Sequence, residues 1–215
     1  RSLREAAMDP DVVSIKITAY RLAPNSKIVN ALINAVRNGK EVVVMLELRA
    51  RFDEENNLEW KEKLEVEGVK VLIGIQNMKV HAKLCVIKKR NNKKTIQYGF
   101  VSTGNLNEKT AKVYADECLL TSNRSIMADI NKIFDGLQNS RLLLTKLKAC
   151  KTLLVCPNTM RLQLIQLIQR EIKNAKAGKE AQIILKLNSL SDVGMINHLM
   201  IALKAGVKID LIIRG

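Results

Sequence analysis

The sequence predicts an α/β fold, a layered sheet that is largely parallel, with flanking helices and an antiparallel hairpin set into it. Two observations carry this expectation. Short apolar, β-branched runs of strand length alternate with helix-length segments along the 215 residues, the pattern that builds βαβ units. One pair of strand-like runs is instead joined by a short charged turn, which makes a hairpin rather than a crossover.

In chain order, residues 12–19 predict a strand and residues 26–38 a helix, with Asn25-Ser26 offering the cap and Gly39 the stop. Residues 41–48 follow as a strand, 53–67 as a helix and 69–73 as a strand. The apolar run Leu84-Cys85-Val86-Ile87 reads as a buried strand; residues 95–102 form its hairpin partner across the turn 88–94. A strand at 114–120 and a helix at 125–137 complete this part. A second cycle opens near Lys151: strand 152–156, helix 160–176 stopped by Gly178, strand 182–187, helix 192–204 ended by Gly206, strand 207–213.

There is a weak internal repeat. The segment from Ile28 to Gly39 aligns with that from Met195 to Gly206, with identities at Asn30/Asn197, Leu32/Leu199, Ala35/Ala202 and Gly39/Gly206. The expected organisation is therefore one half over residues 1–140, a linker over 141–150 and the beginning of a second half over 151–215. The chain starts at Arg1 and stops at Gly215 directly after a strand, so it is expected to be an excised piece of a longer protein.

The composition points to a polyanionic partner. Lys and Arg number 36 against 21 Asp and Glu, a formal charge of +15, and residues 141–215 alone hold 13 basic and 4 acidic side chains. Such an excess draws anions by steering and counterion release. Aromatics make up only 3% of the chain, so platforms for stacking bases are poorly supplied and a polyanion without bases fits better. For a single lysine, solvating a helix face is the default. Cys85, Cys118, Cys150 and Cys156 lack metal-ligand spacing and are expected as reduced thiols, as in a cytoplasmic protein. No apolar run approaches the ~20 residues needed to span a bilayer.

The chemistry-bearing stretch is Lys79-Val80-His81-Ala82-Lys83-Leu84 with Ser102-Thr103-Gly104-Asn105. His-x-Lys at a strand start puts both side chains on one face, and the hairpin brings Gly-Asn alongside. An imidazole, an ammonium and a carboxamide form a phosphorus-chemistry set: a nitrogen nucleophile, a cation for equatorial oxygens and a hydrogen-bond donor. Taken alone, a histidine at a strand start is more often structural. Arg21, Arg51 and His81 fall 30 residues apart each time. The arginines follow the carboxyl ends of predicted parallel strands, where open α/β sheets bind ligands, and guanidinium forks suit bidentate phosphate contacts. The competing reading is a surface salt bridge, Arg51 with Glu54 or Glu55 especially. Asp53, Glu54 and Glu55 could hold magnesium through water, but capping the helix they open is the default. His198, mid-helix, is read as structural.

His-x-Lys, strand, turn, strand and Gly-Asn resemble the half-motif of the phospholipase D superfamily, although Lys88 and Lys89 stand where that motif usually carries an acidic residue. His81-Ala82-Lys83-Leu84 with Thr103-Gly104-Asn105-Leu106-Asn107-Glu108-Lys109-Thr110-Ala111 is similar to polyphosphate kinase. So are Ile17-Thr18-Ala19-Tyr20-Arg21, the segment from Leu46 to Asn56, Lys112-Val113-Tyr114-Ala115-Asp116 and the closing residues 209–215. The resemblance implies a phospholipase-D-like fold of two halves, the second truncated here. It implies that His81 is the phosphorylated histidine, and that Arg21 and Arg51 match magnesium-site positions. An arginine cannot ligate Mg²⁺, so both are read as clamps on phosphate oxygens. Tyr114 and Arg214 match ATP-contacting positions; Tyr114, in a predicted strand, has core packing as its default.

The expected function is reversible transfer of the terminal phosphate of ATP to polyphosphate through phosphohistidine. His81, Lys83 and Asn105 are catalytic, Mg²⁺ is the cofactor and ATP, ADP and polyphosphate are the partners. The full-length enzyme is expected to be a cytoplasmic homo-oligomer without a transmembrane segment or specific nucleic acid, peripheral membrane association being allowed, and the isolated piece inactive. The alternative is a phospholipase-D-type phosphodiesterase with the same covalent histidine; a non-catalytic polyanion-binding module is a third class.

Overall fold

The structure is a computed structural model that describes residues 1–48, 54–75, 78–91 and 94–214. The first elements are helix α1 (Ser2–Met8), strand β1 (Val12–Ala19), helix α2 (Lys27–Arg37), strand β2 (Glu41–Leu46), helix α3 (Glu54–Val66) and strand β3 (Lys70–Ile73). Strands β4 (Lys83–Asn91), β5 (Lys94–Ser102) and β6 (Cys118–Thr121) follow, then helices α4 (Arg124–Gln138) and α5 (Leu143–Lys148). Last come α6 (Met160–Lys176), β7 (Gln182–Leu187), α7 (Val193–Lys204) and β8 (Lys208–Ile213). The chain divides into two compact units, Arg1–Leu153 and Leu154–Gly215.

The first unit is built on a six-stranded sheet in the order β3-β2-β1-β4-β5-β6. Pairs β1/β2 and β2/β3 are parallel, whereas β1/β4, β4/β5 and β5/β6 are antiparallel. Three of the five pairings are thus antiparallel, and the sheet is not largely parallel as the sequence suggested. The cause is topological. A parallel addition of β4 would need a crossover of a dozen or more residues, usually helical. The described residues between β3 and β4 contain no helix, and β4 starts at the end of the sheet where β3 stopped.

The central strands are apolar on both faces because both are covered. Ile15, Ile17, Val42, Val44, Leu46, Cys85 and Ile87 form one core with Ala6 and Ala7 of α1, Val29, Leu32 and Ile33 of α2, and Trp60 and Leu64 of α3. Helix α4, with Ile130 and Phe134 fully buried, packs against β4 and β5. Helix α1 escaped the sequence reading: it is two turns long, and its N-cap Arg1 gives no side-chain cap.

In the second unit β7 and β8 pair in parallel around α7, as β1 and β2 do around α2. The internal repeat has a structural meaning. Gly39 and Gly206 take φ of +76° and +92°, the left-handed conformation that ends a helix without a Cβ penalty. In both copies the residue after the glycine donates its N–H to the aligned alanine carbonyl, Lys40 to Ala35 and Val207 to Ala202, at 3.0 and 3.1 Å. Both alanines are fully buried.

Three boundaries differ from expectation. Residues 152–156 are not a strand, because the N–H groups of Lys151, Thr152 and Leu153 all donate to Asp129 Oδ2 at 2.7–3.0 Å and are lost to a ladder. Residues 141–150 form part of a 3₁₀ turn and α5 rather than a bare linker, and belong to the first unit. Tyr114 lies outside the strand expected at 114–120, which begins only at Cys118. The residues before it form the 3₁₀ turn Thr110–Lys112, set by Asn107 Oδ1 accepting from Lys109 and Thr110 N–H at 3.0 and 3.2 Å.

Asp129 is 1% exposed and also meets Lys132 at 2.8 Å. Burial alone would raise its pKa, but the Lys132 hydrogen bond and the three backbone donors outweigh that and hold the carboxyl below the usual 3.8. A depressed pKa contributes stability that is full above the unfolded value and lost as pH falls through the folded one. Asp129→Ala should therefore lose on the order of 1–3 kcal/mol at pH 7, measured by urea unfolding, and the deficit relative to wild type should shrink below pH 4.

Candidate functional site

The site follows from where the chain must travel between β3 and β4. Strand β3 is an edge and β4 lies beyond β1, so the chain leaves β3 and enters β4 at the same end of the sheet, the carboxyl end of the parallel strands. His81 is the last residue but one before β4 and is exposed, while Lys83 opens the strand with 3% exposure. The two do not sit side by side on a strand face as the i, i+2 spacing implied. Lys83 Nζ turns back, donating to the His81 carbonyl at 2.6 Å and lying 3.0 Å from both ring nitrogens.

The carboxyl end of β1 supplies the other side. The Tyr20 ring meets His81 edge to face, centroids 4.7 Å apart at 73°. Arg21 Cζ and Lys83 Nζ lie 5.8 and 5.2 Å from the Tyr20 ring centre, within cation–π range. The loop that carries Tyr20 and Arg21 is held by α3: Asn57 Nδ2 donates to Tyr20 O at 3.0 Å and to Glu47 O at 2.9 Å. Asn56 Nδ2 reaches Leu22 O at 2.8 Å and Trp60 Nε1 reaches Ala23 O at 3.2 Å. Sequence reasoning missed Tyr20, Asn57 and Trp60 as site supports. The available signal was the buried stripe Asn57, Trp60, Leu64 on one helix face, which carries an amide that a core helix would otherwise exclude.

The hairpin register sets Ser102 opposite Lys83, so Asn105 lies three residues beyond the strand end on the same side of the sheet. Its Oδ1 is buried without a partner among the described residues; a half-turn of the carboxamide presents the NH₂ instead. Gly104 is required by a close approach: a Cβ there would fall 2.6 Å from Asp116 Oδ2. Thr103 Oγ1 donates to Asp116 Oδ1 at 3.3 Å, fixing that carboxylate near the ammonium.

Electrostatics separate the roles. Burial first, then Lys83 and Arg21, lower the His81 pKa below 6.5, which favours the neutral imidazole and leaves a ring nitrogen lone pair available. Burial also pulls Lys83 down to about 8; Asp116 partly opposes this and Arg21 adds to it. At pH 7 the site is a neutral imidazole flanked by two cations.

Of the sequence-predicted residues, the structure brings Arg21, His81 and Lys83 together, and the hairpin register carries Asn105 to the same end of the sheet. Arg51 and Asp53 lie outside the described residues. Tyr114 is half exposed beyond the 3₁₀ turn, not packed in a core strand. Arg214 belongs to the second unit, its N–H donating to Leu187 O at 3.3 Å; His198 is half-buried on α7. The departure at Lys88 and Lys89 is remote from this site: Lys89 Nζ pairs with Asp9 at 2.6 Å, several strand residues away. An apolar groove lined by Leu3, Ile87, Phe100 and Leu120 involves none of the site residues.

An α/β sheet that gathers an imidazole, an ammonium and a guanidinium at the carboxyl ends of its parallel strands presents a set of groups suited to phosphate oxygens. Residues 1–142 match the family model described as polyphosphate kinase C-terminal domain 1, and residues 153–215 match C-terminal domain 2. The chain belongs to the polyphosphate kinase family. Over 213 residues it is 47% identical to the polyphosphate kinase of Vibrio vulnificus strain YJ016 and 40% identical to that of Escherichia coli K12, covering 99% of this chain and 30% of each relative. A crystal structure of polyphosphate kinase from Porphyromonas gingivalis superposes with a TM-score of 0.83 at 41% identity, covering 100% of this chain and 35% of that one. The chain thus spans under a third of the length of these curated relatives.

The lowered ammonium pKa has a signed consequence. Between about 8 and the ordinary 10.5, the unfolded chain binds a proton that the folded chain has released, so stability rises with pH across that window. Denaturation measured from pH 8 to 10.5 should show this rise in the wild-type chain, and the Lys83→Met variant should lack that component.

Proposed function

We propose that this chain carries the phosphohistidine half-site of an ATP:polyphosphate phosphotransferase. The neutral His81 imidazole attacks the γ-phosphorus of ATP, the N–P bond forms as the bond to the β,γ-bridging oxygen breaks, and ADP leaves with its electron pair. A terminal oxygen of polyphosphate then attacks the phosphohistidine, the N–P bond breaks and the neutral ring is regenerated; the reverse sequence makes ATP. The observation that carries this reading is the His81–Lys83–Arg21 grouping, an unprotonated nitrogen nucleophile held between two cations.

Lys83 and Arg21 meet the charge on the equatorial phosphoryl oxygens, joined in this proposal by Asn105 and Arg51. In phosphoryl transfer, positioning and charge stabilisation supply nearly all the acceleration. ATP contacts at Tyr114 and Arg214 stay part of the proposal on the family resemblance alone. Magnesium fits less well as a resident ion. The described residues contain no group of three or more His, Cys, Asp or Glu able to hold a metal, and a guanidinium donates hydrogen bonds but no lone pair. Arg21 therefore serves phosphate oxygens rather than a metal, and no step is drawn through the ion. The excess charge of +15 suits polyphosphate, a base-free polyanion. A cytoplasmic setting is supported by four cysteines without a disulfide; among the described residues no helix is long and apolar enough to cross a membrane.

A full-length polyphosphate kinase carrying this segment, incubated with γ-labelled ATP, should hold an acid-labile, alkali-stable phosphoryl group on His81. His81→Ala should abolish it; undiminished labelling would overturn the nucleophile assignment, and ATP-independent cleavage of phosphodiesters would favour the phosphodiesterase alternative. Arg21→Lys keeps the charge but loses the fork, so turnover should fall by on the order of 10²-fold with little change in melting temperature. A variant that only melts earlier would leave Arg21 a structural residue.

A further inference from the structure

Three backbone groups flank the two reactive side chains, and each is held by a side chain from elsewhere in the chain. Val80 N–H, just before His81, donates to Glu47 Oε2 at 2.8 Å. Ala82 C=O, between His81 and Lys83, accepts from Thr18 Oγ1 at 2.6 Å. Leu84 N–H, just after Lys83, donates to the same Thr18 Oγ1 at 2.9 Å. Thr18 and Glu47 are each 1% exposed. They sit at the carboxyl ends of adjacent strands, where Glu47 N–H donates to Ala19 O at 3.1 Å.

The need for Thr18 is visible in the register. The regular ladder between β1 and β4 ends with the pair Ile17–Cys85. One step further, Leu84 N–H and Ala82 C=O have left backbone pairing and still require partners. A hydroxyl donates and accepts at once, so one threonine satisfies both groups and fixes where the chain peels off the sheet. Valine fits a strand equally well but would orphan both. With that point fixed, Lys83 Nζ can reach back to His81 O at 2.6 Å and to the ring.

We infer that Thr18 and Glu47 are positioning residues, a buried tether on the backbone of residues 80–84 that sets the His81 ring and the Lys83 ammonium in their shared geometry. The inference rests on His81 being the nucleophile. A reacting nitrogen must be aligned within about 3–3.5 Å of phosphorus, and a misplacement of about 1 Å can cost on the order of 10²-fold in rate. The tether acts through the backbone and touches no substrate, so its loss should appear in kcat and in the environment of the ring rather than in ATP binding.

The test compares Thr18→Val, Thr18→Ser, Glu47→Ala and His81→Ala in a full-length polyphosphate kinase carrying this segment. Ring titrations of the same variants are followed by NMR in this chain, where His81 and His198 are the only two histidines. Thr18→Val should lower kcat about 10²-fold while leaving the KM for ATP nearly unchanged. It should also move the His81 pKa upward, toward 6.5. The direction follows from what depresses the ring, burial first and then the Lys83 and Arg21 charges, with Asp116 acting on Lys83: a loosened loop rehydrates the ring and separates it from the ammonium. Thr18→Ser should restore both properties, and Glu47→Ala should shift both as Thr18→Val does. A wild-type-like cooperative urea transition for each variant, followed by a probe in the first unit, reports that this unit is folded; if Thr18→Val fails to fold, Glu47→Ala decides the matter. Full activity of His81→Ala would overturn the nucleophile reading itself. An inactive His81→Ala beside folded Glu47→Ala and Thr18→Val variants with wild-type kcat and wild-type His81 titration would overturn the tether alone.

Discussion

The antiparallel seating of β4 against β1 is the constraint on which the rest of the first unit depends. Strand β1 delivers Tyr20 and Arg21 at its carboxyl end, and β4 begins at that same end only because it runs the other way. A parallel β4 would carry Lys83 to the opposite edge of the sheet, about 3.3 Å further off for every residue of the strand. The connection over the ends of β2 and β1 then has nowhere to lay His81 except above Tyr20. Helix α3 completes the arrangement, since Asn56 and Trp60 hold the loop after β1 and Asn57 ties that loop to Glu47 after β2.

That geometry decides the chemistry. Two cations beside an imidazole disfavour its protonation, and partial burial does so more strongly still. The same two cations are what a metaphosphate-like transition state needs around its equatorial oxygens. On the proposed reading, one arrangement of charge serves two tasks: keeping the His81 ring unprotonated before transfer and stabilising the phosphoryl group during it. Lys83 bears the cost, as burial in a mostly apolar strand pulls its pKa down to about 8.

Much of the fold was legible in the sequence, because strands β1, β7 and helix α6 announce themselves by period, cap and length; each falls where expected, residue for residue. The grouping of His81 with Lys83 was legible too, as a motif. What escaped was long-range. Nothing within the first 25 residues says that Thr18 will hold Ala82 and Leu84, which lie 64 and 66 positions away, or that Tyr20 will stack on His81. The parallel bias of the expected sheet came from counting βαβ units, when the short connection before β4, with no helix among its described residues, was the deciding feature. Residues 152–156 read as a strand from their apolar pattern alone, while Asp129, more than 20 positions back, had already taken three of the N–H groups around their start.

The central claim is that His81 reacts as a neutral imidazole beside a protonated lysine. The pH dependence of single-turnover phosphoryl transfer from ATP to His81 tests it most directly, in a full-length polyphosphate kinase carrying this segment. The rate should hold steady as pH falls from 7 and decline only below 6.5, where the depressed imidazole gains its proton. It should also decline toward high pH as the ammonium titrates near 8, giving a bell with those two limbs. An acid limb at or above 6.5, or a rate that keeps rising from pH 8 to 10, would contradict the account.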